Sequence, residues 1–250
     1  MSEASSPAAQ FARDGFVYIP QLLSPAEMDE LSANLERVVR EVVPTLSKAE
    51  AMFEDYSDPT SLKQIAQLEA HDPYFADLMR NPRIVAIAEE LLQDRVVAQN
   101  IGYFRKPPGR GKPTPAHQDG YYFCLLPNEA LTIWIAFDDV DEENGALYYV
   151  AGSHLKGVQP HGASHVLGFS QGLTGDKSSE LGQEVLCRVR RGDCLIHHSL
   201  TIHAAGGNMS SRERRAIGLV FYASRAKVDP ELKRQYKESL TRQQQQLGVS

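Results

Sequence analysis

The run Cys194-Leu-Ile-His-His198-Ser-Leu-Thr201-Ile-His203-Ala-Ala-Gly206-Gly207-Asn208, followed by Arg214-Arg215-Ala216-Ile-Gly-Leu-Val-Phe-Tyr222, decides the fold. Its apolar stretches are only three to seven residues long and are broken by Gly and Asn. That is the texture of short strands joined by turns, not of helices. The same texture extends upstream through Val185–Val189, Ala146–Val150, Leu131–Phe137, Tyr121–Leu125 and Val96–Phe104. Many short strands with frequent turn signals predict an all-β sandwich or barrel over about residues 96–225. Between them, residues 155–184 are Gly-rich and poor in apolar runs, and they read as a long insertion able to act as a lid.

Upstream of residue 95 the period changes. A strand, Gly15–Ile19, leads to Ser24-Pro25-Ala-Glu27, a capping box with proline at the first helical position. Met28, Leu31, Leu35, Val38, Val39 and Val42 then recur at three- and four-residue steps, an amphipathic helix ending near Pro44. Leu62, Ile65 and Leu68 suggest a second helical stretch. Asn81-Pro82 opens a third, through Ile84, Ile87, Leu91 and Leu92. The tail from Pro230 is polar and helix-prone. The expectation is one domain over residues 1–250: a helical part at about 20–95, a β core at about 96–225, and a polar tail at 226–250.

The 250 residues carry a net charge of −6, with 42% hydrophobic and 23% charged residues. This is ordinary globular composition, which excludes collagen-like, coiled-coil and disordered classes. A mildly acidic chain offers no general electrostatic case for nucleic acid. No apolar run of membrane-spanning length occurs. Cys124, Cys187 and Cys194 are too few and too scattered for a disulfide framework. With neither a signal-peptide pattern at the N-terminus nor a peroxisomal address at Gly248-Val249-Ser250, a cytoplasmic monomer or homodimer acting on a small molecule is expected.

Chemistry concentrates at His117-Gln118-Asp119. Two residues apart on a strand, His117 and Asp119 would share a face. They would supply two members of a 2-His-1-carboxylate triad, which holds Fe(II) and leaves coordination positions open. Three histidines compete for the third place. His203 follows an apolar run and precedes a Gly-rich turn, where a ligand at a strand end belongs. His198 is placed either beside the ligands or in packing. His197, alternating with it, is expected to face the other way. Of Arg212, Arg214 and Arg215, one at the start of a strand beside the metal could hold a dicarboxylate through a bidentate fork. Arg105, Lys106, Arg110 and Lys112 form a basic loop, either solvated or a latch for an anionic group. Tyr121, Tyr122, Phe123, Tyr148 and Tyr149 divide between core and pocket.

His117-Gln118-Asp119, Trp134-Ile-Ala, Glu143-Asn144-Gly145, Gly152-Ser153-His154, Gly192-Asp193 and His203…Asn208…Arg214, taken together, resemble the phytanoyl-CoA dioxygenase family of Fe(II)/2-oxoglutarate oxygenases. Lys106-Pro107-Pro108 resembles the loop that precedes its His-x-Asp strand. The resemblance is close over about 95–225 and loose over 10–95. It implies a mainly β fold with helices: a double-stranded β-helix, or cupin-like jelly roll, with helical N-terminal support. It implies Fe(II) on His117, Asp119 and His203, with 2-oxoglutarate and O2 as cosubstrates. Arg214, eleven residues after the distal histidine, is implied to bind the far carboxylate of 2-oxoglutarate, with Gln118 and Trp134 close to the cosubstrate. The expected reaction is hydroxylation of an aliphatic C–H bond of a small metabolite, polar or anionic, giving succinate and CO2. Asp119 argues against halogenation, in which a small residue replaces the carboxylate, and the segment around it does not resemble that of ectoine hydroxylases. The family often has Ser or Thr two residues after the distal histidine; Ala205 stands here. The alternatives are a non-redox metal enzyme on the same scaffold, or a non-catalytic binding or sensor protein.

Overall fold

A computed structural model describes residues 6–166, 169–175 and 178–247. In chain order the elements are α1 (Pro7–Asp14), β1 (Phe16–Ile19), α2 (Pro25–Glu41), β2 (Ala51–Phe53), β3 (Leu62–Ile65), α3 (Leu68–His71), α4 (Pro73–Leu78), α5 (Pro82–Leu92), β4 (Val96–Lys106), β5 (Thr114–His117) and α6 (Asp119–Phe123). There follow β6 (Leu125–Leu126), β7 (Ala130–Ala136), β8 (Leu147–Val150), β9 (His161–Val166), β10 (Phe169–Leu173), α7 (Ser178–Leu181), β11 (Glu184–Cys187), β12 (Cys194–His198), β13 (His203–Ala205), β14 (Arg214–Ala223), β15 (Lys227–Val228) and α8 (Pro230–Leu247).

Two antiparallel sheets make the jelly roll. The larger runs β1-β12-β7-β14-β4-β3-β2, the smaller β11-β8-β13-β5, and neither closes on itself. Strand alternation sorts their residues. On β7, Leu131, Ile133 and Ile135 join the apolar cluster that contains Met28, Leu31, Leu35 and Val38 of α2 and Ile84 and Leu91 of α5. The alternate residues Trp134 and Ala136 join Phe16, Leu147, Tyr149, Leu195 and Ala205 in a second cluster, between the sheets. Both faces of the larger sheet are therefore covered, which is why β7 is buried at all seven positions.

The helix starts are where their capping residues put them. The Ser24 hydroxyl accepts the Glu27 N–H at 3.3 Å while the Glu27 carboxylate accepts the Ser24 N–H at 2.8 Å. Asn81 caps α5 through the Arg83 N–H at 3.0 Å. Gly15 closes α1 at φ 82°. A Cβ there would lie 2.4 Å from the His154 ring, so backbone geometry and space both require glycine.

Three expectations need correction. Leu62–Ile65 is a strand, because it pairs with β4 (Gln64 opposite Phe104, Ile65 opposite Tyr103) and Gln67, left-handed at φ 54°, separates it from α3. Tyr121–Phe123 belongs to the short helix α6, which Cys124 ends at φ 55°. The 155–184 segment is not a featureless loop, since it carries the β9–β10 hairpin and α7. The expected polar C-terminal helix is α8. The cysteines Cys124, Cys187 and Cys194 are free thiols. Among the described residues, no helix is long and apolar enough to cross a membrane.

Candidate active site

Strand pairing between β13 and β5 sets His203 directly opposite His117, with ring centroids 4.1 Å apart. The chain then leaves β5 and enters α6 at Asp119, so His117 and Asp119 do not share one strand as expected; the turn between them brings the carboxylate back. Gly120 makes that turn possible. Its N–H donates to the Ser199 carbonyl at 2.8 Å, and a Cβ would stand 2.5 Å from the Asn128 amide oxygen. Asp119 Oδ1 lies 3.6 Å from His117 Nε2 and 3.8 Å from His203 Nε2. These three atoms can hold one metal ion, and all lie within 4.8 Å of one another.

Proton positions suit that task. His117 Nδ1 is 2.8 Å from the Pro115 carbonyl and His203 Nδ1 is 3.1 Å from the Thr201 carbonyl. A carbonyl only accepts, so each Nδ1 carries the hydrogen and each Nε2 lone pair faces the centre. Burial, with His117 and His197 alongside, holds His203 well below its ordinary pKa and hence neutral. Burial opposes ionisation of Asp119, yet the carboxyl is held well below its usual range, with His197 Nε2 and the Thr132 hydroxyl both meeting Oδ2. The result is one carboxylate beside two imidazoles, a donor set that suits Fe(II).

The two adjacent histidines face opposite ways, as alternation predicts; of the two places left open for His198 the structure gives it packing, and His197 lies beside the ligands. On β12, Cys194 and Ile196 face the helices, while Leu195 and His197 face inward. His197 Nε2 lies 3.1 Å from Asp119 Oδ2, and its Nδ1 2.9 Å from the Tyr149 hydroxyl. Thr132, opposite His197 on β7, donates its hydroxyl to the same Asp119 Oδ2 at 2.8 Å. His198 turns outward to Phe11 and His154, and burial pulls its pKa down to about 3. Sequence reasoning did not single out Thr132, and it named His197 and Tyr149 without assigning either of them this role. Their signal was a polar group inside an otherwise apolar strand.

The centre opens into a cleft between the sheets, bounded by Trp134, Leu147, Ala205, Phe104, Lys106 and Arg214 among others. Arg214 is buried, and its guanidinium stacks on the Trp134 ring at 4.8 Å. Nε donates to the Gly145 carbonyl at 3.2 Å, and no carboxylate among the described residues pairs with it. Burial accordingly pulls its pKa down to about 10. Its neighbours are spoken for: Arg212 pairs with Asp141 at 2.7 Å and Arg215 with Asp138 at 2.7 Å. The basic loop is likewise mostly neutralised, Arg105 by Glu213, Arg110 by Asp58 and Lys112 by Glu54. Of that loop Arg105 and Lys106 line the cleft, and burial together with Arg214 pushes the Lys106 pKa down to about 6.

Gln118 does not reach the cleft. Its amide donates to the Leu200 carbonyl at 2.7 Å and the Gly157 carbonyl at 3.0 Å, and accepts the Gln159 N–H at 2.7 Å. It ties the start of the 155–184 segment to the centre. His161 from that segment stacks on Tyr121 at 4.2 Å and accepts the Gln118 N–H at 3.1 Å, so it is neither exposed nor a ligand. The His165 side chain lies outside the described ones. Tyr122, 6.0 Å from the His117 ring, and Tyr236 of α8 complete an aromatic rim.

The phytanoyl-CoA dioxygenase family model matches residues 11–216. The chain belongs to the phytanoyl-CoA dioxygenase family. Phytanoyl-CoA dioxygenase domain-containing protein 1 of Rattus norvegicus is 33% identical over 159 residues, which is 60% of this chain and 53% of the relative. Peroxisomal phytanoyl-CoA dioxygenase of Bos taurus is 28% identical over 231 residues, 84% of this chain and 66% of the relative. The chain thus spans about half to two-thirds of the length of these family members. Among solved structures, the epimerase SnoN in complex with Fe3+, alpha ketoglutarate and nogalamycin RO aligns with TM-score 0.72 at 26% identity, covering 90% of this chain and 85% of that one. The carbocyclase SnoK from nogalamycin biosynthesis aligns with TM-score 0.71 at 28% identity, covering 92% and 87%. EctD from S. alaskensis, 21% identical with TM-score 0.71 over 86% of this chain and 75% of that one, shares the fold.

Proposed function

We propose that the chain is an Fe(II)- and 2-oxoglutarate-dependent dioxygenase, working as a single domain, that hydroxylates an aliphatic C–H bond of a small molecule. The observation that carries this reading is the convergence of His117 Nε2, Asp119 Oδ1 and His203 Nε2 in a cleft that also holds a buried Arg214 with no carboxylate partner among the described residues. A non-redox metal enzyme has no need of a cation placed to grip a second carboxylate; a cosubstrate that is a dicarboxylate does.

His117, Asp119 and His203 would hold the metal. Bound there, Fe(II) with 2-oxoglutarate and O2 supplies the oxidation, in which one oxygen atom enters the substrate and the other enters succinate as CO2 leaves. Arg214 would grip the far carboxylate through its two terminal nitrogens, with the Trp134 face fixing the guanidinium plane. Ala205 provides no hydroxyl beside it. Lys106, whose Nζ donates to Thr114 Oγ1 at 3.1 Å, is a further polar group of the cleft that could meet that carboxylate. A substrate filling the cleft would displace water from it, which would strengthen each charge–charge contact inside. Asp119 fills the place that a halide would need, which supports oxygen transfer over halogenation. The rim of Tyr121, Tyr122, His161 and Tyr236 supports a substrate that presents apolar surface, and the paired basic loop provides no free latch for a phosphate.

The test is anaerobic loading with Fe(II) followed by O2 uptake in the presence of 2-oxoglutarate and substrate panels. Succinate should form in a one-to-one ratio with O2 consumed. His117→Ala, Asp119→Ala and His203→Ala should each lose Fe(II) and turnover. An alanine variant that keeps both removes the reading. Mass analysis of the product, with a gain of one oxygen expected, separates hydroxylation from inversion or ring closure, which leave no oxygen behind.

A further inference from the structure

Asp119 presents two oxygens to two different surroundings. Oδ1 faces His117 Nε2 and His203 Nε2 at 3.6 and 3.8 Å. Oδ2 faces the larger sheet, where His197 Nε2 at 3.1 Å and Thr132 Oγ1 at 2.8 Å both meet it. His197 and Thr132 are direct cross-strand partners on β12 and β7, so strand register alone aims both donors at one atom. The imidazole is itself oriented: its Nδ1 is 2.9 Å from the hydroxyl of Tyr149 on the opposing sheet, a buried ring stacked on Phe16 at 4.6 Å and 15°. Carboxylate oxygens only accept, so Nε2 carries the hydrogen. Nδ1 and the Tyr149 hydroxyl then hydrogen-bond each other.

We propose that His197, oriented by Tyr149 and paired with Thr132, is a positioning residue that restricts Asp119 to one-oxygen coordination of the metal. This rests on the assignment of Asp119 as a metal ligand. A carboxylate that engaged both oxygens would occupy one further coordination position. Two hydrogen bonds at Oδ2 oppose that rotation and keep the position for cosubstrate or O2. Hydrogen-bonded partners of metal ligands typically change metal affinity by 10- to 100-fold when removed. The chain runs Tyr149–His197–Asp119 from one sheet to the other, so it also fixes the separation of the sheets at the centre.

The test uses Co(II) as a spectroscopic substitute for iron on the full chain. His197→Phe, similar in volume but unable to donate, should weaken Co(II) binding at least about 10-fold and change the intensity of its visible ligand-field bands as Oδ2 joins the metal. His197→Gln places an amide N–H near the position of Nε2 and should restore both affinity and bands. Thr132→Val should act in the same direction, and the His197→Phe/Thr132→Val pair should be less than additive because both act on one oxygen. Tyr149→Phe should move the bands in the same sense with a smaller loss of affinity. If His197→Phe fails to fold, Thr132→Val and Tyr149→Phe decide the matter. Variants that bind Co(II) with unchanged affinity and spectrum, whatever their melting temperature, overturn the proposal. Wild-type chain that binds no Co(II), or Asp119→Ala that binds it as wild type does, overturns instead the ligand assignment beneath it.

Discussion

Replacing Arg214 by Met separates its binding role from its effect on stability. The guanidinium is buried, and burial pulls its pKa from the ordinary arginine value down to about 10. A displacement of that size corresponds to about 3 kcal/mol of unfavourable charging in the folded state. The sign follows from linkage: the folded protein binds this proton less tightly than the unfolded chain, so the penalty is fully present at neutral pH and fades only in strong alkali. Met removes the penalty. It also removes the hydrogen bond to the Gly145 carbonyl, worth about 1–3 kcal/mol once that acceptor is stranded, and the stacking on Trp134, worth about 1 kcal/mol. These opposing effects nearly cancel, so Arg214→Met should melt within about 4 °C of wild type without ligand. Binding behaves differently. Two hydrogen bonds from a charged donor contribute about 1.5–3 kcal/mol each, so 2-oxoglutarate affinity should fall about 10²- to 10⁴-fold. Calorimetric titration of the metal-loaded protein and thermal melts of the metal-free protein read the two effects separately. A variant that binds 2-oxoglutarate normally refutes the anchor. One that melts far below wild type shows that Arg214 is a structural cation.

Three further outcomes are expected. Lys106, its pKa pushed down to about 6 by burial and Arg214, is neutral above that pH in the empty cleft; a carboxylate brought beside it should draw a proton onto it. Calorimetry in buffers of different ionisation enthalpy should therefore show proton uptake on 2-oxoglutarate binding near pH 7.5, absent in Lys106→Met. Burial pulls His198 to about 3 and His161 to about 4, so the unfolded chain takes up protons below pH 6.5 while the folded chain does not. Stability should fall as pH drops from 6.5 toward 4, and His198→Phe should flatten that slope in urea melts. Ala205→Ser adds a hydroxyl in the cleft wall that also holds Arg214, and one added hydrogen bond of about 1 kcal/mol should tighten 2-oxoglutarate binding about five-fold.

Local chemistry was legible where it was self-contained. Ser24 and Glu27, and Asn81 with Pro82, declare helix starts through groups three residues apart or closer, and no tertiary contact is needed to read them. The period-2 strands from Leu131 and Ala216 were legible for a related reason, since their small and apolar residues fit no other element. Leu62, Ile65 and Leu68 were misread because three-residue steps fit a helix and equally a strand that turns into a short helix at left-handed Gln67. Only the neighbouring β4 edge resolves that ambiguity. Tyr121–Phe123 has strand-like side chains, but Gly120 pinned between Ser199 and Asn128 bends the backbone into a helical turn before those propensities act.

The choice between His197 and His198 stayed open in the sequence for a different reason. Alternation within β12 is intact and correctly separates the two; what it cannot supply is which face looks inward. His203 offers no guide, because Ser199–Ile202 carries the chain from the larger sheet to the smaller one and breaks any parity count between positions 198 and 203. The phase is set across strands, by His197 opposite Thr132 and Leu195 opposite Trp134. Polarity carried the missing information. An imidazole or hydroxyl inside an apolar strand must find a partner, because burying it unpaired costs about 1–3 kcal/mol. Thr132 and His197 are such residues on adjacent strands, and one carboxylate oxygen satisfies both. Tyr149 meets the same requirement from the other sheet. Polar residues embedded in separate apolar strands therefore point to a shared acceptor between them, and in this chain that acceptor is Asp119.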